Sequence, residues 1–464
     1  MNVENQIVLE LNQLRNKNFD LIIWKSFDRI NDGVNGKTDI DLYLVEGTFN
    51  ELEKNLFELG WRKFNSEYWR KFPEVNDFFK IFNNGQKNTL IHFHLHETIR
   101  TGDRFVKSLF IPKEFVKDSI ISQNSFRTLT FEKESELSII RSAFKVKTVD
   151  YIMSLIRFNK DRLFIYHDET KSLIESKIDF INNDSLSDIY PEYIDYLDSR
   201  SIIKTMVHRK KIRSKYKEFK KHSRSLTFYM KLVSSKLLIN GKYIKKGLLV
   251  SVIGVDGTGK STTSNNVYKQ LSSQIRVKLI YLGIPKSIAK FRNKLYKIQK
   301  LTISKNVVEK IDNSESKKKK NNKKAIVDTL FSLAVTFIKL LKHLQIKVLL
   351  SLGFIVITDR YPINNIIDYN PQYKNSIFYK FQNKLNDIFR EPDKFILLNL
   401  ASEELDSRNI KLNKNLLEDN KMIQKKLIEF AKNNDYLILN NISKNFLDNE
   451  FKIINYIFGV SNDC

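Results

Sequence analysis

Residues 254–262 read Gly-Val-Asp-Gly-Thr-Gly-Lys-Ser-Thr, just past the middle of a 464-residue chain. The apolar run "LLVSVI" precedes this stretch and "TSNNVYKQL", with helical spacing, follows it. Strand, glycine-rich turn and helix in that order form a phosphate cradle. The glycines let backbone N–H groups wrap an anion without Cβ clashes, and the helix N-terminus adds its positive dipole end. Gly254, Gly257, Thr258, Gly259, Lys260, Ser261 and Thr262 are the candidate nucleotide-binding residues. Lys260 would reach the β- and γ-phosphates, and the Ser261 hydroxyl would ligate Mg²⁺. A chain of this length yields on the order of 0.01 chance matches to the pattern, so ATP and Mg²⁺ are the expected cofactors.

Strand and helix patterns alternate outward from this loop. "RVKLIYLG", "FIVIT", "KFILLNL" and "YLILN" are short apolar runs separated by helical stretches. That alternation predicts an α/β domain over 246–464, a parallel sheet flanked by helices. "SESKKKKNNKK" (314–324) reads as a low-complexity insert within it. Residues 1–145 mix periods: "ENQIVLELNQLRNK" is helical, whereas "TDIDLYLV" and "TLIHFHLHE" alternate in period two. An α+β domain around a small sheet is expected there. Residues 146–245 are helical and very basic, densest over 208–224, and read as a solvated linker.

Lys and Arg total 79 against 53 Asp and Glu, a net charge of +26. The excess favours phosphorylated or otherwise polyanionic partners. It also accompanies a heavy use of Lys, Asn, Ile and Phe, as a compositional bias would produce. The single cysteine, Cys464, excludes an internal disulfide and a cysteine metal site. With no signal-peptide pattern at the N-terminus, a cytoplasmic location is expected. The most apolar region, 329–358, is interrupted by Lys339, Lys342, His343 and Lys347, and is read as a helix followed by a buried strand.

The loop resembles that of thymidylate kinase and its nucleoside-monophosphate kinase relatives, which carry an acid directly before the second glycine, as Asp256 stands here. "GFIVITDRYP" resembles their strand ending in Asp-Arg-Tyr, with Asp359 and Arg360 in those places. "EPDKFILLNLASEELDSRN" resembles the segment in which an arginine, here Arg408, opens a lid; Lys411 and Lys414 follow it. The resemblance implies that Asp256 contacts the acceptor sugar, Asp359 holds Mg²⁺ or its water, and Arg360 grips the acceptor phosphate. Arg408 would neutralise charge on the transferring phosphoryl group. Two departures fall on the acceptor side: Leu398-Asn399 replaces Leu-Asp, and "YLGIPKS", with Tyr281, Gly283 and Lys286, replaces an arginine followed by proline and glycines. ATP is therefore better supported than dTMP, and a phosphorylated sugar or glycan intermediate stays open as acceptor.

Near the N-terminus, "GKTDIDLYL" places Asp39 and Asp41 on one face of a strand, where two carboxylates can hold Mg²⁺. It resembles DNA polymerase beta-type nucleotidyltransferases, with Lys25-Ser26 in the place of their Gly-Ser. In "LIHFHLHE", His92 occupies the place of the third acid, with His94 beside it. Three functions follow: an ATP-dependent kinase with possible added nucleotidyl transfer, a nucleotidyltransferase with a kinase-like regulatory half, or a non-catalytic nucleotide- or nucleic-acid-binding protein. The first is preferred. It expects a phosphate-bearing acceptor and no nucleic acid partner, leaves peripheral contact with an anionic membrane open, and allows a homodimer.

Overall fold

The computed structural model describes residues 1–102, 106–145, 161–175, 201–220, 230–231, 233–235, 241–283, 337–361, 390–401, 403–404, 407, 414–441 and 445–459. The chain divides into two compact units, Met1–Lys242 and Tyr243–Cys464.

The first unit is built on seven strands, ordered β3-β4-β5-β2-β1-β9-β8. They are β1 (Asp20–Ile23), β2 (Ile40–Glu46), β3 (Arg62–Phe64), β4 (Val75–Asn83), β5 (Asn88–His96), β8 (Ile120–Gln123) and β9 (Phe126–Leu129). A small ribbon pairs β6 (Ile99–Thr101) with β7 (Leu109–Ile111). The sheet is mixed: β2 runs parallel to β5 and antiparallel to β1. Alternation along β2 sends Leu42 and Leu44 to one core, with Ile7, Leu11 and Leu14 of helix Val3–Asn16 and Leu52 and Leu56 of helix Phe49–Glu58. Tyr43 and Val45 go to the opposite core, under helix Phe131–Lys145. Asp39 and Asp41 share the parity of Tyr43, so both carboxylates belong to that second face.

The basic helix belongs to this unit and is no solvated linker. Helix Ile202–Lys215 and the turn after it bury Ile212, Tyr216 and Phe219 in the second core. Its arginines serve the end of another helix. Arg209 Nε donates to the Ala143 carbonyl at 2.9 Å, and Arg213 donates to the carbonyls of Ala143 and Phe144 at 3.0 and 3.3 Å. These carbonyls lie in the last turn of helix Phe131–Lys145, where basic side chains can serve as donors. A run that reads as surface charge is thus in part a helix cap. The expected boundary at 245 moves to 242.

The second unit holds five parallel strands ordered β11-β12-β10-β13-β14. They are β10 (Leu248–Ile253), β11 (Val277–Tyr281), β12 (Ile355–Asp359), β13 (Lys394–Asn399) and β14 (Leu437–Asn440). This is the expected parallel α/β sheet. Its first strand lies in the centre, so the loop after β10 is flanked by the ends of β12 and β13. Helices Lys260–Ser272, Lys414–Asn433 and Phe446–Phe458 pack against it. The apolar stretch resolves as expected into a helix over 337–351 and the buried strand β12. Among the described residues, no helix is long and apolar enough to cross a membrane.

Candidate functional site

The loop 254–259 leaves β10 and closes onto helix Lys260–Ser272. Gly254 has φ +150°, and a Cβ there would stand 2.6 Å from the Leu398 carbonyl oxygen of β13. Gly259 has φ +83°, and its Cβ would stand 2.5 Å from Asn441 Nδ2. A close backbone neighbour excludes a side chain at Gly254, and the left-handed conformation disfavours one at Gly259. Thr258, fully buried, ties the loop to itself through Oγ1 to the Val255 carbonyl at 2.8 Å. Asn441, just past β14, donates to the Thr258 carbonyl at 2.6 Å. This support from a strand nearly two hundred residues away had no signal in the sequence beyond the pair "NN" after "YLIL".

Of the site residues expected from the sequence, Asp256, Lys260, Ser261, Asp359 and Arg360 lie together here. Ser261 Oγ donates to Asp359 Oδ2 at 2.5 Å, joining the loop to the C-terminal end of β12. The other oxygen, Asp359 Oδ1, is buried and makes no hydrogen bond. A buried carboxylate oxygen without a partner beside a free hydroxyl acceptor suits a hard cation with oxygen ligands. Ser261 and Asp359 therefore fit Mg²⁺. Arg360 donates to Asp256 Oδ1 at 3.0 Å, and its guanidinium lies 5.8 Å from the centre of the Tyr281 ring. Arg360 has φ +69°, a left-handed backbone that a non-glycine residue adopts at a cost of about 1–2 kcal/mol. Asp256, Asp359, Arg360 and Tyr281 thus line one end of the sheet. Arg408, Lys411 and Lys286, the side chain of Lys414 and the insert 314–324 lie outside the described residues.

Lys260 is buried, and its Nζ donates to the Val255 carbonyl at 2.7 Å and lies 3.7 Å from Asp256 Oδ1. Burial pushes its ammonium down to about 8, against the pull of Asp256. A bound polyphosphate favours the charged form and raises that value. Binding above pH 8 must then take up a proton, so affinity is expected to fall as pH rises through about 8, by up to about tenfold per unit. Calorimetry in buffers of different ionisation enthalpy checks this. Proton-neutral binding at pH 9 would show that the phosphates do not meet Lys260.

The N-terminal carboxylates sit in a different setting. In the β2–β5 register Asp41 pairs with His94, so His94, not His92, faces the aspartates. His94 Nδ1 lies 3.0 Å from Asp41 Oδ1 and 3.4 Å from Asp39 Oδ2. Lys25 Nζ sits 2.7 Å from the same Asp41 oxygen. His92 instead meets Asp77 of β4, Nε2 to Oδ1 at 2.8 Å. Asp77 also holds Ser66 Oγ and Lys242 Nζ, the latter at 2.9 Å. The sequence reading missed Asp77 because it lies on a strand with no motif. Burial opposes ionisation of Asp41, yet the Lys25 ammonium and the histidines hold it well below the usual carboxylate range. Burial and the Asp41 charge likewise push Asp39 up, but His94 brings it down to about 2. The third acid expected for two-metal chemistry is absent from this face next to β2: β5 presents histidine there.

Residues 252–453 match the family described as thymidylate kinase. That match begins within β10 and ends in the last helix, and makes this region an ATP-dependent, thymidylate-kinase-like phosphotransferase. It does not reach the first unit, so the nucleotidyltransferase resemblance gains nothing from it. No curated protein matches the chain. Among solved structures, a thymidylate kinase from Ehrlichia chaffeensis is 20% identical over 46% of this chain and 99% of its own, with a TM-score of 0.27. A thymidylate kinase from Candida albicans is 20% identical over 46% of this chain and 91% of its own, with a TM-score of 0.28.

Proposed function

We propose that the second unit transfers the γ-phosphoryl group of ATP to a phosphate-bearing acceptor, most simply a nucleoside monophosphate such as dTMP. The observation that carries this reading is the junction of Ser261 with Asp359 beneath the phosphate loop, with Arg360 and Asp256 paired at the same sheet end. The loop N–H groups and Lys260 would hold the β- and γ-phosphates. Little covalent chemistry is asked of the protein in phosphoryl transfer, so positioning and charge neutralisation supply the rate. Ser261 and Asp359 would hold Mg²⁺, which neutralises phosphate charge when bound. Arg360, released from Asp256 by a phosphate, would make a forked contact with the acceptor. Arg408 remains the proposed lid arginine.

Tyr281 stands on the acceptor side next to Arg360, in a segment that departs from the family pattern. A phosphorylated sugar is for that reason the second candidate acceptor. The test is ADP release from ATP and Mg²⁺ over a panel of nucleoside monophosphates and phosphorylated sugars. Turnover with dTMP is the expected result. Turnover with a sugar phosphate alone assigns the altered acceptor side, and no turnover with any member overturns the kinase reading for these substrates. Nucleotidyl transfer at Asp39 and Asp41 is a separate reading, favoured by the two carboxylates on one face. It requires label from α-phosphate-labelled nucleotide on an acceptor, lost in Asp41→Ala.

A further inference from the structure

We infer that the first unit holds a transition-metal site made by Asp41, His94 and His96, selective for a Zn²⁺-like cation over Mg²⁺. One ligand atom from each residue lies within 4.8 Å of the others. His94 Nδ1 is 3.0 Å and His96 Nε2 is 3.5 Å from Asp41 Oδ1. Two donors bound tetrahedrally to one Zn²⁺ at about 2.0–2.1 Å stand roughly 3.3–3.4 Å apart, so these two separations bracket the required one. The third, within 4.8 Å, closes with a movement of His94, the least buried of the three.

His96 supplies the independent observation. It is fully buried, and neither ring nitrogen makes a hydrogen bond. A buried polar side chain without partners costs about 1–3 kcal/mol, and such a group calls for an ion or water. Its Nε2 faces Asp41, the residue that the strand register also sets opposite His94. Two imidazoles and one carboxylate favour a borderline-soft dication; all-oxygen sets suit Mg²⁺. Three protein ligands leave a fourth position open, as in catalytic rather than structural zinc sites.

Access is available. A cavity of about 180 Å³ is bordered by Asp41, Asp39, Lys25, Arg29 and Arg141. Its wall sets the basic Lys25, Arg29 and Arg141 against the acidic Asp39, Asp41 and Glu169, and it reaches the site from the Asp41 side. Lys25 occupies the cation's place at 2.7 Å from Asp41 Oδ1, and a metal ion would displace that ammonium.

The test is titration of the full chain, first stripped with chelator, with Zn²⁺ alone and Mg²⁺ alone by calorimetry, with Co²⁺ absorption reporting nitrogen ligation. Expected are Zn²⁺ binding far tighter than Mg²⁺ binding, and visible Co²⁺ bands that His94→Ala and His96→Ala each abolish. Zn²⁺ affinity should fall at least about tenfold to a hundredfold in each, since loss of even an outer-shell partner does as much. Lys25→Met, which removes the competing ammonium without touching the ligands, should raise it. Should His96→Ala fail to fold, the more accessible His94→Ala and Lys25→Met decide the matter. Unchanged Zn²⁺ affinity in His94→Ala, weaker binding in Lys25→Met, or loss of the Co²⁺ bands to Mg²⁺ at equal concentration each overturns the site.

Discussion

Replacing Lys260 with alanine is expected to lower ATP-dependent phosphotransfer by about 10²–10³-fold, the usual loss when one preorganised charge is removed from a reacting anion. The unit should nevertheless fold. Lys260 Nζ rests on the Val255 carbonyl, a contact within the loop itself, and helix Lys260–Ser272 is held by Val267 and Leu271 in the core. Net loss of one such hydrogen bond is about 1 kcal/mol, and relief of a desolvated ammonium offsets part of it. Steady-state ADP release with and without acceptor, alongside denaturant unfolding, separates the two effects. A large fall in turnover with little change in unfolding places Lys260 on the phosphates. Unchanged turnover would mean that the loop does not hold the transferred group, and the kinase reading would fall with it.

The second unit was legible because each of its features is local. Strand β10, the loop and the helix after it are contiguous in sequence, and the inner strands β10, β12 and β13 are short apolar runs buried on both faces. The Ser261–Asp359 junction spans 98 residues, yet both ends carry their own motif. The first unit was less legible, for reasons of register. Asp39 and Asp41 announce themselves by their spacing, but which histidine faces them depends on how β5 slides along β2, and a shift of two residues exchanges His92 for His94. Asp77 and Asn441 lie outside any motif, although each meets a residue, His92 or Thr258, in a segment the sequence singles out. The basic helix misled because composition reports charge and not its partner: the guanidinium groups of Arg209 and Arg213 end on carbonyls of another helix. Arg408 stays an expectation from resemblance alone.

Asp359→Asn should reduce turnover by about 10²–10³-fold and raise the Mg²⁺ concentration needed for half-maximal rate. The substitution is isosteric. An amide can still meet Ser261 Oγ, since a hydroxyl both donates and accepts, so the 2.5 Å junction is replaced and not deleted. What is lost is a negative carboxylate whose Oδ1 is buried without a hydrogen-bond partner. A neutral side chain there is easier to bury, so unfolding should move little or shift toward greater stability. Ser261→Ala removes the other oxygen ligand and should raise the Mg²⁺ requirement in the same direction. If both residues act on one cation, the double variant loses less than the product of the single losses, because removing either has already emptied the shared site of most of its function. The Mg²⁺ dependence of kcat for the two single variants and the double variant decides this. Multiplicative losses with an unchanged Mg²⁺ requirement would mean that the two residues act independently and that Asp359 does not hold the metal.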